Sequence, residues 1–113
     1  MSMDESRYLR LAHDAFNKVI QAFDEIDSDD ADVDTQGDVV SIRFRDGSRV
    51  ILNTQRPTQQ LWLAGRSRAW HFDYHEASGT WKDDKAHEEL FDTLRALTSA
   101  SGLTVPFTSA SAS

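Results

Sequence analysis

The densest set of chemically active side chains is a run of carboxylates between residues 24 and 34. Its acids are Asp24, Glu25, Asp27, Asp29, Asp30, Asp32 and Asp34. Carboxylate oxygens are the ligands that hard cations prefer. The order Asp30-x-Asp32-x-Asp34 imitates the start of an EF-hand calcium loop, but Thr35 and Ser41 stand where that loop needs glycine and a bidentate glutamate. The run therefore predicts weak, multi-site binding of hard cations, including iron. The alternative is a solvated acidic surface that maintains solubility.

The excess negative charge is confined to the first third of the chain. The chain has 12 Lys and Arg residues against 19 Asp and Glu residues, a net charge of −7. Residues 1–38 hold 3 basic and 11 acidic side chains, whereas residues 39–113 hold 9 basic and 8 acidic ones. Such a field repels phosphate and excludes nucleic acid as a partner. It attracts cations or a basic protein surface.

Other reactive groups give weaker signals. His71, Asp73 and His75 alternate and share one face of a strand, where they could hold a metal ion, but partly exposed, hydrogen-bonded histidines explain the same pattern. The sequence has no cysteine, which excludes disulfides, thiolate metal sites and cysteine nucleophiles. It contains no Gly-x-Ser-x-Gly elbow, Gly-rich phosphate loop or His-Glu-x-x-His motif, so no motif supports an enzyme.

A second candidate surface lies in the segment 53–64. Uncharged hydrogen-bonding side chains surround a tryptophan there: Asn53, Gln55, Gln60 and Trp62. Leu61 and Leu63 fall on one face of the predicted strand, and Trp62 falls on the other. We therefore expect Trp62 to be exposed on an open sheet face, as a protein-binding hot spot rather than a core residue.

The elements that position these groups follow from hydrophobic periodicity. Apolar residues at three- and four-residue spacing over 8–23 predict an amphipathic helix of about five turns, which the acidic run ends. Alternation and turn signals predict antiparallel strands in a meander of about five or six strands. The strands identified are 40–44, 50–52, 60–64, 69–74 and 80–82. A second helix is predicted to begin after Asp84 and to stop at Gly102.

Helix, meander and helix together indicate an α+β fold. We expect a two-layer sandwich in which the N- and C-terminal helices pack on one face of a single antiparallel β-sheet. A single domain should cover 1–107, with Leu103, Val105 and Phe107 between the helices, and 108–113 should be a disordered tail. No run approaches about 18 apolar residues, and no signal or transit pattern occurs. The expected location is the reducing cytoplasm, without contact with a membrane.

One spaced motif carries a family resemblance: Asn53-x-Gln55-x-Pro57-x-x-Gln60-x-Trp62-Leu63-Ala64, followed by His71-Phe72-Asp73. Together with the acid-rich helix end and the Asp46-Gly47 hairpin, it makes the chain resemble the frataxin family, in particular its bacterial CyaY branch. The resemblance covers essentially the whole chain. It implies the sandwich fold and an iron-binding protein that regulates iron–sulfur cluster assembly or donates iron to it. It also implies docking on the complex of the cysteine desulfurase and the iron–sulfur scaffold protein.

The resemblance assigns roles to two sets of residues. The family's acidic ridge, which would bind ferrous and ferric iron at weak surface sites, corresponds to Asp24, Glu25, Asp27, Asp29, Asp30, Asp32 and Asp34. The partner-binding surface corresponds to Asn53, Gln55, Gln60 and Trp62, with His71 nearby. Relatives often carry carboxylates where this chain has Ile20 and Gln21, so iron should concentrate at the helix end and the following loop. Arg56 replaces an acidic or neutral residue before the proline.

Three functional alternatives stay open at this point. The first is the iron-binding regulator or iron donor of cluster assembly. The second is a pure protein-interaction regulator of the desulfurase, with incidental metal binding. The third is a ferroxidase or iron-storage oligomer. We expect a monomer, with metal-driven oligomers as the alternative.

Overall fold

The computed structural model describes residues 3–107. Within this range the elements are α1 (Glu5–Ala22), β1 (Ala31–Gln36), β2 (Val39–Phe44), β3 (Arg49–Gln55), β4 (Gln60–Gly65), β5 (Arg68–His75), β6 (Thr80–Asp83) and α2 (Leu90–Ala100). A 3-10 turn, Arg56–Thr58, joins β3 to β4. The six strands form one sheet in sequence order, and each neighbouring pair is antiparallel. The predicted α+β two-layer sandwich is confirmed.

Helix α1 forms where the sequence predicts an amphipathic helix. Asp4 caps its first turn by accepting a hydrogen bond from the backbone N–H of Arg7 at 3.3 Å. The side chains that α1 buries recur every three or four residues: Tyr8, Ala12, Ala15, Phe16, Val19 and Ala22. The helix ends at Ala22, just before the acidic run, because carboxylates at a helix C-terminus oppose the helix dipole.

The hydroxyl of Tyr8 links α1 to the connection between β3 and β4. It donates to the carbonyl of Gln60 at 2.7 Å and accepts from the backbone N–H of Gln55 at 3.1 Å. Burial raises the pKa of this hydroxyl, so it stays protonated and able to donate. The bond therefore fixes the two strand ends that carry Gln55 and Gln60.

The two faces of the sheet differ in chemistry because successive side chains point to opposite sides. The face under the helices is apolar and buried, and includes Val40, Ile42, Phe44, Val50, Leu52, Leu61, Leu63, Trp70 and Phe72. The opposite face, called the open face below, keeps most of its side chains partly or fully exposed. Its central residues are Val39, Ser41, Arg43, Arg49, Ile51, Asn53, Trp62, Ala64 and His71.

The start of the second helix was predicted too early. The prediction placed it after Asp84, but the first helical residue is Leu90. The carboxylate of Asp83 explains the difference, since it accepts hydrogen bonds from the backbone N–H groups of Lys85 and Ala86 at 3.1 and 2.7 Å. An acidic side chain that binds nearby backbone N–H groups stabilises a turn in competition with a helix.

Helix α2 has a cap at each end. The carboxylate of Glu89 accepts from the backbone N–H groups of Phe91 and Asp92 at 2.9 and 3.1 Å, which makes Glu89 the N-cap. Gly102 follows the helix with a φ of 78°, a left-handed conformation that glycine adopts without strain. The predicted stop at Gly102 is confirmed.

The segment after α2 packs between the helices, as the sequence predicts. Val105 and Phe107 are buried, and Leu103 is partly buried against the core. The ring of Phe107 lies 5.6 Å from that of Phe23 and 6.2 Å from that of Phe91. Since Phe23 follows α1 and Phe91 belongs to α2, the segment joins the two helices.

The tail prediction for 108–113 concerns residues outside the described range. Among the described helices, none has the length and apolar character needed to cross a membrane.

Candidate functional site

The acid-rich segment is an exposed strip along one side of the sandwich. Asp24 to Asp30 lie in the turns after α1, whereas Asp32 and Asp34 lie on the edge strand β1. All seven predicted metal ligands are exposed except Asp30, which is partly buried. We call them the acidic ridge, and they are Asp24, Glu25, Asp27, Asp29, Asp30, Asp32 and Asp34. The ridge is therefore accessible to solvent cations and to a partner surface.

Two ridge acids are already engaged within the protein. Arg45 lies 2.6 Å from the carboxylate of Asp30, and the carboxylate of Asp27 accepts a hydrogen bond from the backbone N–H of Asp29 at 2.9 Å. Across residues 3–107, no group of three or more histidine and carboxylate side chains is arranged to hold a metal ion. The ridge thus has the chemistry of scattered one- or two-carboxylate contacts rather than of a closed cage.

The predicted partner-binding residues meet on the open face around Trp62. Its indole stacks on the ring of His71, with centroids 4.3 Å apart and planes 17° apart. Asn53 is the register partner of Trp62 on β3, and Gln55 pairs with Gln60 at the strand ends. We call this group the sheet-face cluster, and its members are Asn53, Gln55, Gln60, Trp62 and His71. Trp62 is partly exposed, so the predicted face for its ring is confirmed.

Gln60 is placed differently from its neighbours. It is only 9 % exposed, and its amide oxygen accepts a hydrogen bond from Trp62 Nε1 at 3.0 Å. Its amide nitrogen donates to carboxylates of Asp73 and Asp84, at 3.1 and 3.2 Å. A buried amide with its oxygen and nitrogen both bonded has little capacity left for a partner. Gln60 therefore orients the indole of Trp62.

Asp83 holds the backbone of the strand that carries His71. Besides Lys85 and Ala86, it accepts from the backbone N–H of His71 at 3.3 Å. Burial by itself would raise the pKa of Asp83, but the three backbone N–H groups outweigh it and hold the pKa below its usual value. The ionised carboxylate thus anchors the strand that presents His71.

The predicted strand face of His71, Asp73 and His75 is confirmed, but each side chain has a separate environment. His71 stacks on Trp62, Asp73 binds Gln60, and Nδ1 of His75 lies 2.7 Å from the hydroxyl of Ser78. The hydrogen-bonded interpretation therefore holds for His75, whereas the ring of His71 is held by stacking, and neither arrangement resembles a metal site.

Asp38, which no sequence motif marks, connects the edge of the sheet at β1 and β2 to α1 and to the turn after β3. Its carboxylate lies 3.0 Å from Nε2 of His13 and accepts from Arg56 and Thr54 at 3.1 and 3.2 Å. The contacts with His13 and then Arg56 hold the pKa of Asp38 below its usual value. Arg56 thus has a partner inside the protein.

Strand β1 was missed because of its charge. Ala31 and Val33 alternate and turn towards the core, but they lie within a run of acids that is typical of a loop. Their alternation was the available signal. Two arginines beside the ridge were missed, because only strand pairing brings them there: Arg43 on β2 lies opposite Asp32, and Arg45, just after β2, pairs with Asp30.

Comparison with known proteins gives consistent results. The model of the frataxin-like domain matches residues 1–102. The chain belongs to the frataxin-like family. The iron–sulfur cluster assembly protein CyaY of Pseudomonas aeruginosa is 41% identical over 100 residues, covering 88% of this chain and 92% of that relative. The protein of the same name from Azotobacter vinelandii is 41% identical over 98 residues, covering 87% and 88%.

Two solved structures share the frataxin-like fold. Frataxin from Psychromonas ingrahamii, used as a model for stability modulation within the CyaY protein family, matches with a TM-score of 0.83 and 32% identity, covering 94% of this chain and 99% of that one. Trimeric frataxin from Saccharomyces cerevisiae, complexed with ferrous iron, matches with a TM-score of 0.60 and 23% identity over 89% and 88% of the two chains. At that identity the yeast protein supports the fold alone.

Proposed function

We propose that this protein takes part in iron–sulfur cluster assembly as an iron-binding regulator or iron donor. The open face carries the proposal, because Trp62 is held there by a stack and a hydrogen bond instead of entering the core. A preoriented, partly exposed tryptophan is typical of a binding hot spot. The CyaY relatives are named for iron–sulfur cluster assembly, which is the process proposed for this chain. The negative charge of the acidic ridge would attract iron.

Iron is cargo in this proposal. Carboxylates without a closed cage give weak sites for ferrous and ferric ions, which a carrier must release to an acceptor. The free acids, Asp24, Glu25, Asp29, Asp32 and Asp34, would contribute most, because Arg45 neutralises Asp30 and the backbone occupies Asp27.

Docking on the complex of cysteine desulfurase and scaffold would use two surfaces. The ridge would bind a basic patch, and the sheet-face cluster would bind a less charged surface. Within the cluster, Asn53, Gln55, Trp62 and His71 would contact the partner, and Gln60 would act by orienting Trp62. The cytoplasm, where the CyaY relatives' process would run, is the location that accompanies this proposal.

The test is a titration of ferrous iron with and without the purified desulfurase. Iron affinity and desulfurase affinity should depend on each other, because both ligands use the same carboxylates. Asp24→Asn, Asp29→Asn and Asp32→Asn combined should weaken both. The matched control removes three exposed acids elsewhere: Asp14→Asn, Glu88→Gln and Asp92→Asn.

Each alternative has its own outcome in these experiments. Strict additivity of the two binding events would favour the protein-interaction regulator. Oxygen consumption well above the buffer rate, together with metal-driven oligomers, would favour the ferroxidase.

A further inference from the structure

Two arginines face each other on the open face, and neither forms an ion pair within the described chain. Arg43 on β2 and Arg49 on β3 are register partners next to the Asp46-Gly47 hairpin. Both are exposed, while their neighbours Ile42 and Val50 enter the core. Like charges directly opposite on neighbouring strands destabilise a sheet. Asp32, opposite Arg43 on β1, offsets part of this repulsion, and Arg49 has no such carboxylate opposite it on β2.

Three nearby carboxylates are bound to other arginines, whereas Asp32, the register partner of Arg43 on β1, forms no ion pair in the described chain. Arg45 pairs with Asp30, Arg66 with Asp46, and Arg68 reaches Glu88 at 4.0 Å. Within the described chain, neither Arg43 nor Arg49 lies within 4.0 Å of a carboxylate oxygen. Their guanidinium groups keep all their donors available for an external oxyanion.

The arginine pair belongs to a built concavity on the open face. A cavity of about 340 Å³ is lined by the two arginines, the hydroxyl-bearing Ser41, and Asp32, Val33 and Asp34 on β1. The two aspartates make one wall negative, which disfavours a small, multiply charged anion such as phosphate. A carboxylate carries only one negative charge, so the wall opposes it less, and the protein that carries it can add contacts elsewhere.

The position of the pair indicates which protein would bring that carboxylate. Between the arginines and the row of Asn53 and Trp62 lies a strip of small or apolar side chains, with Ile51 and Ala64 at its centre. Four residues along a strand separate the two rows, about 13 Å. A standard interface covers roughly 800 Å² on each partner, so one partner would span both.

We propose that Arg43 and Arg49 form a carboxylate-binding subsite for an acidic side chain or C-terminus of the protein that docks on the sheet-face cluster. This inference rests on the proposed function, since it needs that partner. Planar guanidinium groups bind carboxylates in bidentate geometry, and the carboxylate would also relieve the repulsion between the two arginines.

The experiment measures binding of the full chain to the purified desulfurase–scaffold complex. Arg43→Gln with Arg49→Gln should weaken binding roughly tenfold or more and reduce its salt dependence. Arg43→Glu with Arg49→Glu should weaken it further. Arg10 on α1 is exposed and forms no ion pair in the described chain. Arg10→Gln is therefore the control for the loss of one positive charge, and it should bind as the wild type. The glutamine pair should unfold at the same temperature or higher, which separates lost binding from lost structure.

The possible results distinguish this inference from the proposed function. If the glutamine pair binds as the wild type while Trp62→Ala loses affinity, the subsite is wrong and the proposed function stands. If Trp62→Ala and the ridge variant also bind as the wild type, the proposed function fails and the subsite with it. Inorganic phosphate that saturates the arginine pair in an NMR titration at low salt would overturn the choice of a protein carboxylate.

Discussion

Phe107 should contribute more stability than any other residue of the segment after α2. Its ring packs edge-on against Phe23 and beside Phe91, and its carbonyl accepts a hydrogen bond from Arg95 at 3.0 Å. Replacing it with alanine removes the contact between the helices and leaves a cavity, because α1 and α2 are fixed by the sheet. The change therefore tests whether the segment is a structural part of the sandwich.

The expected loss for Phe107→Ala follows from its burial of 93 %, that is, 7 % exposure. Truncation of a well-buried phenylalanine costs about 3–5 kcal/mol, and the edge-on aromatic contact is included in that value. For a domain of this size, 1 kcal/mol lowers the melting temperature by about 4 °C or somewhat less, so the variant should melt about 10–20 °C below the wild type.

Urea and thermal unfolding followed by circular dichroism provide the measurement. Thr104→Ala, at an exposed position of the same segment, is the control and should change the melting temperature by no more than about 2 °C. Truncation after Gly102 should cost at least as much as Phe107→Ala, whereas deletion of 108–113 should cost almost nothing. A melting temperature of Phe107→Ala equal to that of Thr104→Ala would refute the packing role.

Three further predictions concern the site itself. Asp29→Asn should weaken ferrous iron binding roughly two- to fivefold more than Asp30→Asn in calorimetric titrations, because Arg45 already neutralises Asp30; equal losses would contradict this. Trp62→Ala should keep the fold but lose more than about 1 kcal/mol of binding to the assembly complex, and unchanged affinity would remove Trp62 from the interface. Asp83 has a lowered pKa when folded, so it stabilises the protein above the unfolded value of about 3.9 and this contribution is lost as the pH falls through the folded pKa. Asp83→Asn should therefore lower stability at pH 7 and flatten its acid dependence below about pH 5, and an unchanged slope in acid unfolding would contradict the assignment.

The parts of the fold that could be predicted are those in which one local pattern dominates. Leu61 and Leu63 alternate with Trp62, and that alternation alone places the indole on the open face. The helix over 8–23 and the packing of Phe107 follow equally from apolar spacing. In each of these segments the apolar side chains that become buried outnumber the charged and turn-forming residues that would favour another structure.

The parts that could not be predicted depend on contacts between distant residues or on competing signals. The strand that carries Asp32 could not be predicted, because its acidic residues are typical of a loop. The second helix begins later than predicted, because backbone N–H groups bind the carboxylate of Asp83 and form a turn there. Gln60 has the composition of a contact residue, but its burial and its three side-chain partners exist only once the strands are paired. The same holds for Asp38, whose partners come from α1 and from the end of β3 with the turn that follows it.

The decisive measurement is the rate of iron–sulfur cluster formation on the scaffold, with this protein present at several iron concentrations. We expect the protein to change the rate to an extent that depends on iron. The combined Asp24, Asp29 and Asp32 variant should lose the iron dependence, and its matched control should retain it. A rate that is the same with and without the protein at every iron concentration would contradict the proposed function.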